Sequence, residues 1–412
     1  MDRAVVFVAP FALESTLRFV RAAAALPGVH LTIVCQEPVQ AFRAKAGEVA
    51  SRQFSAVVQC RDVHDPTQLE AAVREAGART GGRVDALIGI LEPLQVPLAK
   101  VRESLRIPGM DSAEAQRFRD KAHMKDSLRA AGLPCARHVL ATDKAMAMAF
   151  AKETLPLVAK PPAGAGAKDT FRVERLEDLE SWLRTHPPSP AKPLLLEEFV
   201  QGEEFSFDSV SVGGKHLMHS ISQYAPTPLQ VMESPWIQWT VMLPKDISGP
   251  EFAEIHAAGA KALDVLGMVT GMTHMEWFRR ADGSIAISEV AARPPGAQFT
   301  SLISYAYEKD MYSAWAELVC FDRFDVPERR FSTGAAYLRG QGTGRVNQVH
   351  GITQAKEELG DLIVEAKIPP AGSPKSSSYE GEGYVILKDT DTQAVADGLR
   401  RIVQILQVEL TP

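Results

Sequence analysis

Glu276 and Glu289 flank an Asp282-Gly283 pair, in the run His274-Met-Glu276-Trp-Phe-Arg-Arg-Ala-Asp282-Gly283-Ser-Ile-Ala-Ile-Ser-Glu289-Val-Ala-Ala-Arg293. Asp-Gly between alternating apolar runs is the strongest short signal for a tight hairpin. Met275–Arg279 is therefore expected to pair antiparallel with Ser284–Val290. Measured outward from the turn, the two glutamates fall nearly opposite each other. Like charges at cross-strand distance repel, so two acids in an otherwise apolar hairpin need a cation between them. Mg²⁺ suits the pair, because it takes oxygen ligands and commonly uses one or two carboxylates plus nucleotide phosphates. Two glutamates on a solvent face is the plainer reading; their Met, Trp, Ile and Val neighbours weigh against it.

Two more segments carry chemistry of a related kind. Leu157-Val-Ala-Lys160 has the pattern of a strand, and Pro161-Pro-Ala-Gly164-Ala165-Gly166-Ala-Lys168 follows it. Small residues there let backbone N–H groups approach an anion, and Lys160 at the strand end can neutralise phosphate oxygens. The spacing is not that of a P-loop, and a flexible hairpin with a surface lysine has the same appearance. Farther on, Leu194-Leu-Leu-Glu197-Glu198-Phe199-Val200-Gln-Gly202-Glu203-Glu204 is an apolar strand running into acids and a glycine turn. Free amide and carbonyl groups at such a strand end can pair with an adenine edge, and a carboxylate a little beyond suits ribose hydroxyls. An ordinary acidic turn is the alternative.

These segments need elements to position them. The first hundred residues alternate apolar runs (Ala4–Ala9, Leu31–Cys35, Ala56–Gln59, Ala86–Ile90) with amphipathic stretches (Leu13–Ala25, Gln40–Ala50, Thr67–Thr80). Strict alternation implies a doubly wound parallel sheet, hence an α/β protein. Ala9-Pro10-Phe11 after the first strand offers no G-x-G-x-x-G, which removes the main support for a dehydrogenase. A charged helix is expected over Ser112–Ala131, stopped by Gly132 and Pro134. A small α+β unit follows from Arg137 to about Phe199. Strands dominate residues 204–290, with one helix at Glu251–Leu266. Beyond a helix at Tyr312–Val319, a last α+β domain is expected from about Phe331, with strand Gly383–Leu387 and helix Thr392–Leu406; Pro369–Tyr379 has the composition of an exposed loop.

The 412-residue length calls for two or three domains, and a formal charge of −6 gives no basic footprint for nucleic acid. The four cysteines (Cys35, Cys60, Cys135, Cys320) lie far apart, with no C-x-x-C, which fits a reducing cytosol and no zinc site. No apolar run is long enough to span a membrane, and the N-terminus lacks a signal-peptide pattern. A cytoplasmic protein is expected.

Taken together, Lys121 in Arg-Asp-Lys-Ala-His-Met-Lys, Lys160 before the glycine loop, Glu197-Glu198 with Glu204, and the Glu276/Glu289 hairpin ending in Arg293 resemble, in order, the motif set of the ATP-grasp superfamily. Biotin carboxylase, purine-type ligases and L-amino acid ligases belong to it. The resemblance covers roughly residues 1–400. It implies an N-terminal Rossmann-like domain (1–110), an ATP-grasp domain (111–330) with a lid at about 137–198 and an antiparallel-sheet core, and a C-terminal α+β domain (331–412). It further implies that Lys121 and Lys160 contact nucleotide phosphates, and that Gly164, Ala165 and Gly166 close over the triphosphate. Glu197, Glu198, Phe199 and Val200 would line the adenine site, Val200 through its backbone, and Glu204 would bind ribose. Glu276 and Glu289 would hold Mg²⁺, or Mn²⁺ in its place. Arg293, with Lys160, would act on the acyl phosphate. Many members place Asn two residues after the second metal glutamate; this chain has Ala291, which leaves a third protein ligand open.

The implied reaction is ATP-dependent joining of a small-molecule carboxylate to an amine through an acyl phosphate, in a protein for which a homodimer is allowed. A biotin-carboxylase-like or purine-pathway enzyme is the alternative, and an ATP-binding sensor or scaffold the non-enzymatic one. Glu92, Arg293 and Glu233 are the candidates for holding substrate. Glu92 sits at the end of the fourth strand, where open parallel sheets bind ligands, but an acid before Pro93 at a helix N-terminus is equally in place. The aromatics of Ser222–Trp239 (Tyr224, Trp236, Trp239) either wall the pocket or pack the core. His274 is expected to be structural.

Overall fold

The computed structural model of the chain describes residues 2–164, 170–234 and 237–411. Four parallel strands, β1 (Arg3–Val8), β2 (Val29–Cys35), β3 (Phe54–Gln59) and β4 (Ala86–Ile88), form an N-terminal sheet in the order β3-β2-β1-β4. Alternate residues of β1 feed two cores: Val5 and Phe7 pack on one face, Val6 and Val8 on the other. That two-sided burial is why the strand is apolar throughout rather than alternating. The amphipathic stretch expected over Gln40–Ala50 is two helices, Val39–Ala46 and Glu48–Gln53, broken at Gly47, whose φ of 89° few other residues tolerate.

The charged helix expected over Ser112–Ala131 is likewise divided, into Ser112–Arg119 and Lys121–Ala130. Asp120 between them has extended backbone (φ −92°, ψ 109°), and its carboxylate accepts the N–H groups of Ala122 and His123. An N-cap aspartate thus overrides a continuous helical pattern, since capping satisfies orphan donors that a through-helix would not leave. Lys121 becomes the first residue of the second helix.

The segment expected as a lid is a compact unit. Its strands β5 (His138–Ala141), β6 (Leu157–Lys160), β7 (Phe171–Val173) and β8 (Leu194–Glu198) run antiparallel in the order β5-β8-β6-β7. The helices Lys144–Glu153 and Leu176–Thr185 cover it, enclosing Leu157, Ala159, Leu179 and Leu196.

The main sheet has eight strands. Its members are β9 (Glu203–Val212), β10 (Lys215–Ala225), β11 (Trp239–Leu243), β12 (Gly271–Arg279), β13 (Ile285–Ala291), β14 (Ser332–Leu338), β16 (Ile363–Lys367) and β17 (Gly383–Asp389), in the order β13-β12-β9-β10-β11-β14-β17-β16. The remaining strands, β15 (Arg345–His350) and β18 (Gln407–Thr411), pair with each other. Residues 332–389 therefore extend the sheet begun at residue 203. The helix Ala253–Leu266 packs on this sheet with Phe207 and Trp277, and Thr392–Ile405 covers β14 and β17. Sequence patterning gave no hint of the helix Phe299–Tyr307, whose apolar run lacks a clear period, or of the short β15, β16 and β18. Among the described residues no helix is long and apolar enough to cross a membrane, and the four cysteines are unpaired.

Candidate active site

A cavity of about 370 Å³ opens where the four-stranded unit β5–β8, the β12–β13 hairpin and the N-terminal segment meet. Glu276 and Glu289 stand opposite each other on its wall. Straight counting from the turn would set Ser288 across from Glu276, because Trp277 pairs with Ile287; a β-bulge at Ser288 moves Glu289 into that place. The bulged carbonyl is held by Lys125, whose Nζ donates to Ser288 O at 2.6 Å. Glu204, on the neighbouring β9, is buried, and burial together with the charge of Glu276 pushes its carboxyl well above the usual carboxylate range. Two facing carboxylates, beside a third carboxyl whose ionisation is suppressed, fit a hard divalent cation. Among the described residues no group of three or more His, Cys, Asp or Glu side chains could hold a metal.

Two lysines of the same wall, Lys121 and Lys160, and the fully buried Lys125 converge on its acids. Lys121 Nζ, placed by the cap at Asp120, donates to Glu289 Oε1 at 2.6 Å and to the Gly164 carbonyl at 3.0 Å. Burial opposes ionisation of Glu289, but Lys121 and Lys160 overcome it and draw its pKa down to about 2. Lys160 Nζ sits 2.9 Å from Glu197 Oε2, and Lys125 Nζ 3.5 Å from Glu197 Oε1. Burial would raise the pKa of Glu197, yet the two ammoniums hold it below the ordinary value. The carboxylate expected beside an adenine is thus also the counter-charge that fixes two buried lysines.

A second ionic group connects the N-terminal sheet to the hairpin. Glu92, which starts a short 3₁₀ turn after β4, is buried between two guanidiniums: Arg119 Nη1 at 2.6 Å and Arg293 Nη2 at 3.3 Å. Arg119 also donates to Gly164 O at 3.1 Å. Glu92 opens a helical turn and lines the cavity, but both its oxygens are occupied by arginines.

On the side expected for a base, Glu198, Phe199 and Val200 line the cavity. Among the described residues the Val200 N–H and carbonyl have no hydrogen-bond partner, leaving a free donor and acceptor at a strand end. Arg172 lies 4.0 Å above the Phe199 ring, while the Glu198 side chain turns to Arg137 at 3.1 Å. His274 lines the cavity too. Its Nδ1 is 2.6 Å from Asp208 Oδ1, and its Nε2 3.6 Å from Glu276. Burial alone would lower its pKa; Asp208 and Glu276 reverse this and raise it to about 9, so the ring is cationic at neutral pH.

Of the residues singled out in the sequence, Lys121, Lys160, Gly164, Glu197, Glu198, Phe199, Val200, Glu204, Glu276, Glu289, Glu92 and Arg293 line this one cavity. Glu233 does not: it lies exposed on the short helix Pro228–Glu233, outside the lining, because that helix turns Val231 inward. Ala165, Gly166, Lys168 and Trp236 lie outside the described residues. Tyr224 and Trp239 line the cavity and are also buried in the core, joining the two readings of that segment. Sequence reasoning missed Arg119, Lys125, Arg172, Asp208 and Tyr379. Lys125 and Arg119 stood in the quoted run with Lys121, and i,i+4 helical spacing from Lys121 could have flagged Lys125; nothing local marked Arg119 or Tyr379.

No family model matches the chain. It is 23% identical over 360 residues to the uncharacterized protein y4rH of Sinorhizobium fredii, covering 84% of this chain and 73% of that one. It is 25% identical over 260 residues to an L-arginine-specific L-amino acid ligase of Bacillus subtilis, 61% of each chain, so the match spans less than two thirds of that enzyme. The crystal structure of an L-amino acid ligase from Bacillus licheniformis superposes with a TM-score of 0.79 at 17% identity, covering 100% of this chain and 99% of that one. With the ordered motifs gathered at one cavity, the parallel N-terminal sheet, the four-stranded unit and the large antiparallel sheet give this chain the ATP-grasp fold.

Proposed function

We propose that the protein is an ATP-dependent ligase that phosphorylates a small-molecule carboxylate to an acyl phosphate and joins it to an amine, releasing ADP and phosphate. The observation that carries this reading is the convergence of Glu276 and Glu289 with Lys121, Lys160 and Arg293 on one cavity wall. A carboxylate is a poor electrophile because its leaving group would be oxide, and transfer of a phosphoryl group supplies a better one. Catalysis of that transfer is mostly positioning and charge neutralisation. In this reading Lys121 and Lys160 bind phosphate oxygens, and the free N–H and carbonyl of Val200 meet the adenine edge. Glu204 takes the ribose, and Gly164 lies over the phosphates. Glu276 and Glu289 would hold Mg²⁺ or Mn²⁺, which when bound neutralises charge on the transferring phosphoryl. Arg293, oriented by Glu92, faces the substrate carboxylate and then the acyl phosphate. The four-stranded unit at about 137–198 serves as a lid that keeps water from that intermediate. The likeness to L-amino acid ligases supports amino acids as the acid and the amine.

The test is phosphate and nucleotide release by purified protein given Mg²⁺, ATP and pools of carboxylic and amino acids. Stimulated release with ADP as product is expected. AMP as product would replace the acyl phosphate with an adenylate; stimulation by bicarbonate alone would favour a carboxylase. Silence across broad pools, with ATP still bound, would leave a sensor or scaffold.

A further inference from the structure

Resting on the ligase reading, one residue of the C-terminal segment extends it to substrate choice. The stretch 368–382 between β16 and β17 has the composition of an exposed loop, yet Tyr379 turns inward and lines the cavity. Its ring meets Trp239 edge-on, with centroids 4.7 Å apart at 80°. Trp239 in turn meets Tyr224 at 5.6 Å and Phe299 at 6.3 Å, and all four rings belong to the same cavity wall. Three of these aromatics are buried, whereas Tyr379 is only half-buried. It is the outer, accessible member of an aromatic wall. Among the described residues its hydroxyl has no hydrogen-bond partner.

The loop holds this ring in a braced turn. Ser378 N donates to Ser376 Oγ at 3.1 Å, and Ser376 N to Glu382 Oε1 at 2.8 Å. The other Glu382 oxygen accepts from Gly340 N at 2.8 Å. Gly381 has a φ of 65°, and a Cβ there would stand 2.2 Å from the Leu338 carbonyl, so the turn lies directly against β14. These bonds fix the turn that carries the ring, so the ring's position is set by the backbone around it.

We propose that Tyr379 is a specificity-determining residue: it closes the substrate end of the cavity and sets the largest apolar side chain that the amino acid or carboxylic acid admitted there can carry. An aromatic wall favours apolar and flat groups over charged ones, since an ion placed there loses hydration that the rings only partly replace.

The test compares wild type with Y379F, Y379L and Y379A. ADP release is measured with MgATP and pairs of L-amino acids graded from glycine and alanine to leucine, phenylalanine and tryptophan. Y379A and Y379L are expected to raise the bulky-to-small ratio of kcat/KM by about tenfold or more. The change should appear in KM for the amino acid, with KM for ATP unchanged, and Y379F should keep the wild-type profile. An unchanged profile, or an equal loss for every amino acid and for ATP, overturns the assignment; Y379L carries the test if Y379A does not fold. If wild type releases no ADP with any pair, the ligase reading fails separately. The wall is then measured by thermal midpoints of the same proteins with MgADP and each amino acid. A size-dependent stabilisation that moves to larger side chains in Y379A supports the wall, and identical responses in all variants overturn it.

Discussion

Glu197→Gln tests the ionic core of the site most directly. The carboxylate is 4% exposed and stands 2.9 Å from Lys160 Nζ and 3.5 Å from Lys125 Nζ. At an effective dielectric of about 20 those separations correspond to gross attractions of roughly 6 and 5 kcal/mol. Desolvation of three ions offsets most of that. Removing only the anion leaves two buried ammoniums facing each other, a loss of about 3–5 kcal/mol at pH 7. The pH dependence follows from the directions of the shifts. Burial depresses the Lys125 pKa, so in the variant a proton leaves more readily and the penalty shrinks as pH rises toward 10. Glu197 itself has a lowered pKa in the fold. Wild type therefore loses its advantage as pH falls below about 4.5 and through that lowered value. The gap between the two proteins should be widest from about pH 5 to 8. Urea unfolding followed by far-UV circular dichroism at pH 4, 7 and 10 measures it. A difference under about 1 kcal/mol at pH 7, or one that does not change with pH, would refute the two-lysine clamp.

Other perturbations separate the roles of neighbouring groups. Glu289→Gln should cut turnover by at least about 10²–10³-fold while leaving the fold intact, because the amide oxygen and the Gly164 carbonyl still accept from Lys121; full activity in a steady-state assay would sink the metal assignment. Lys160→Ala should weaken ATP binding by roughly tenfold to a hundredfold, the worth of a charge-assisted hydrogen bond, and titration calorimetry showing unchanged affinity would remove Lys160 from the phosphate site. Asp208→Asn should cost about 1.5–3 kcal/mol at pH 6. The raised His274 pKa makes that stabilisation complete below about 6.5 and lost as pH rises through about 9, so urea midpoints of variant and wild type should meet near pH 10.

What could be foreseen depended on how local the determinant was. The hairpin was legible because Asp282-Gly283 fixes a turn and apolar alternation fixes the faces. The bulge at Ser288 was not, since its partner Lys125 lies far away in sequence. Ser112–Ala131 looked continuous because no glycine or proline interrupts it; the break at Asp120 rests on a side chain capping the helix behind it. Glu92 was found by its place at a strand end, yet its meeting with Arg119 and Arg293 is a tertiary event between segments with no shared pattern. Tyr379 sits among serines and glycines, where composition says loop and nothing says which way one ring turns. Conversely, Glu233 looked chemical only because it was acidic and near aromatics.

The eight-stranded sheet carries both the Glu276/Glu289 pair, on its β12–β13 edge, and the strands next to the turn of Tyr379, β14 against which it lies and β17 into which it runs. One hydrogen-bonded ladder therefore works as a ruler between the two ends of the cavity. A change in cavity length by sliding these ends apart would have to break backbone bonds across several strands. The strands β5–β8 belong to a separate sheet and are free of that constraint. On the lid role proposed above, closing would be a motion of one jaw against a fixed anvil, and a substrate would be gauged against the anvil.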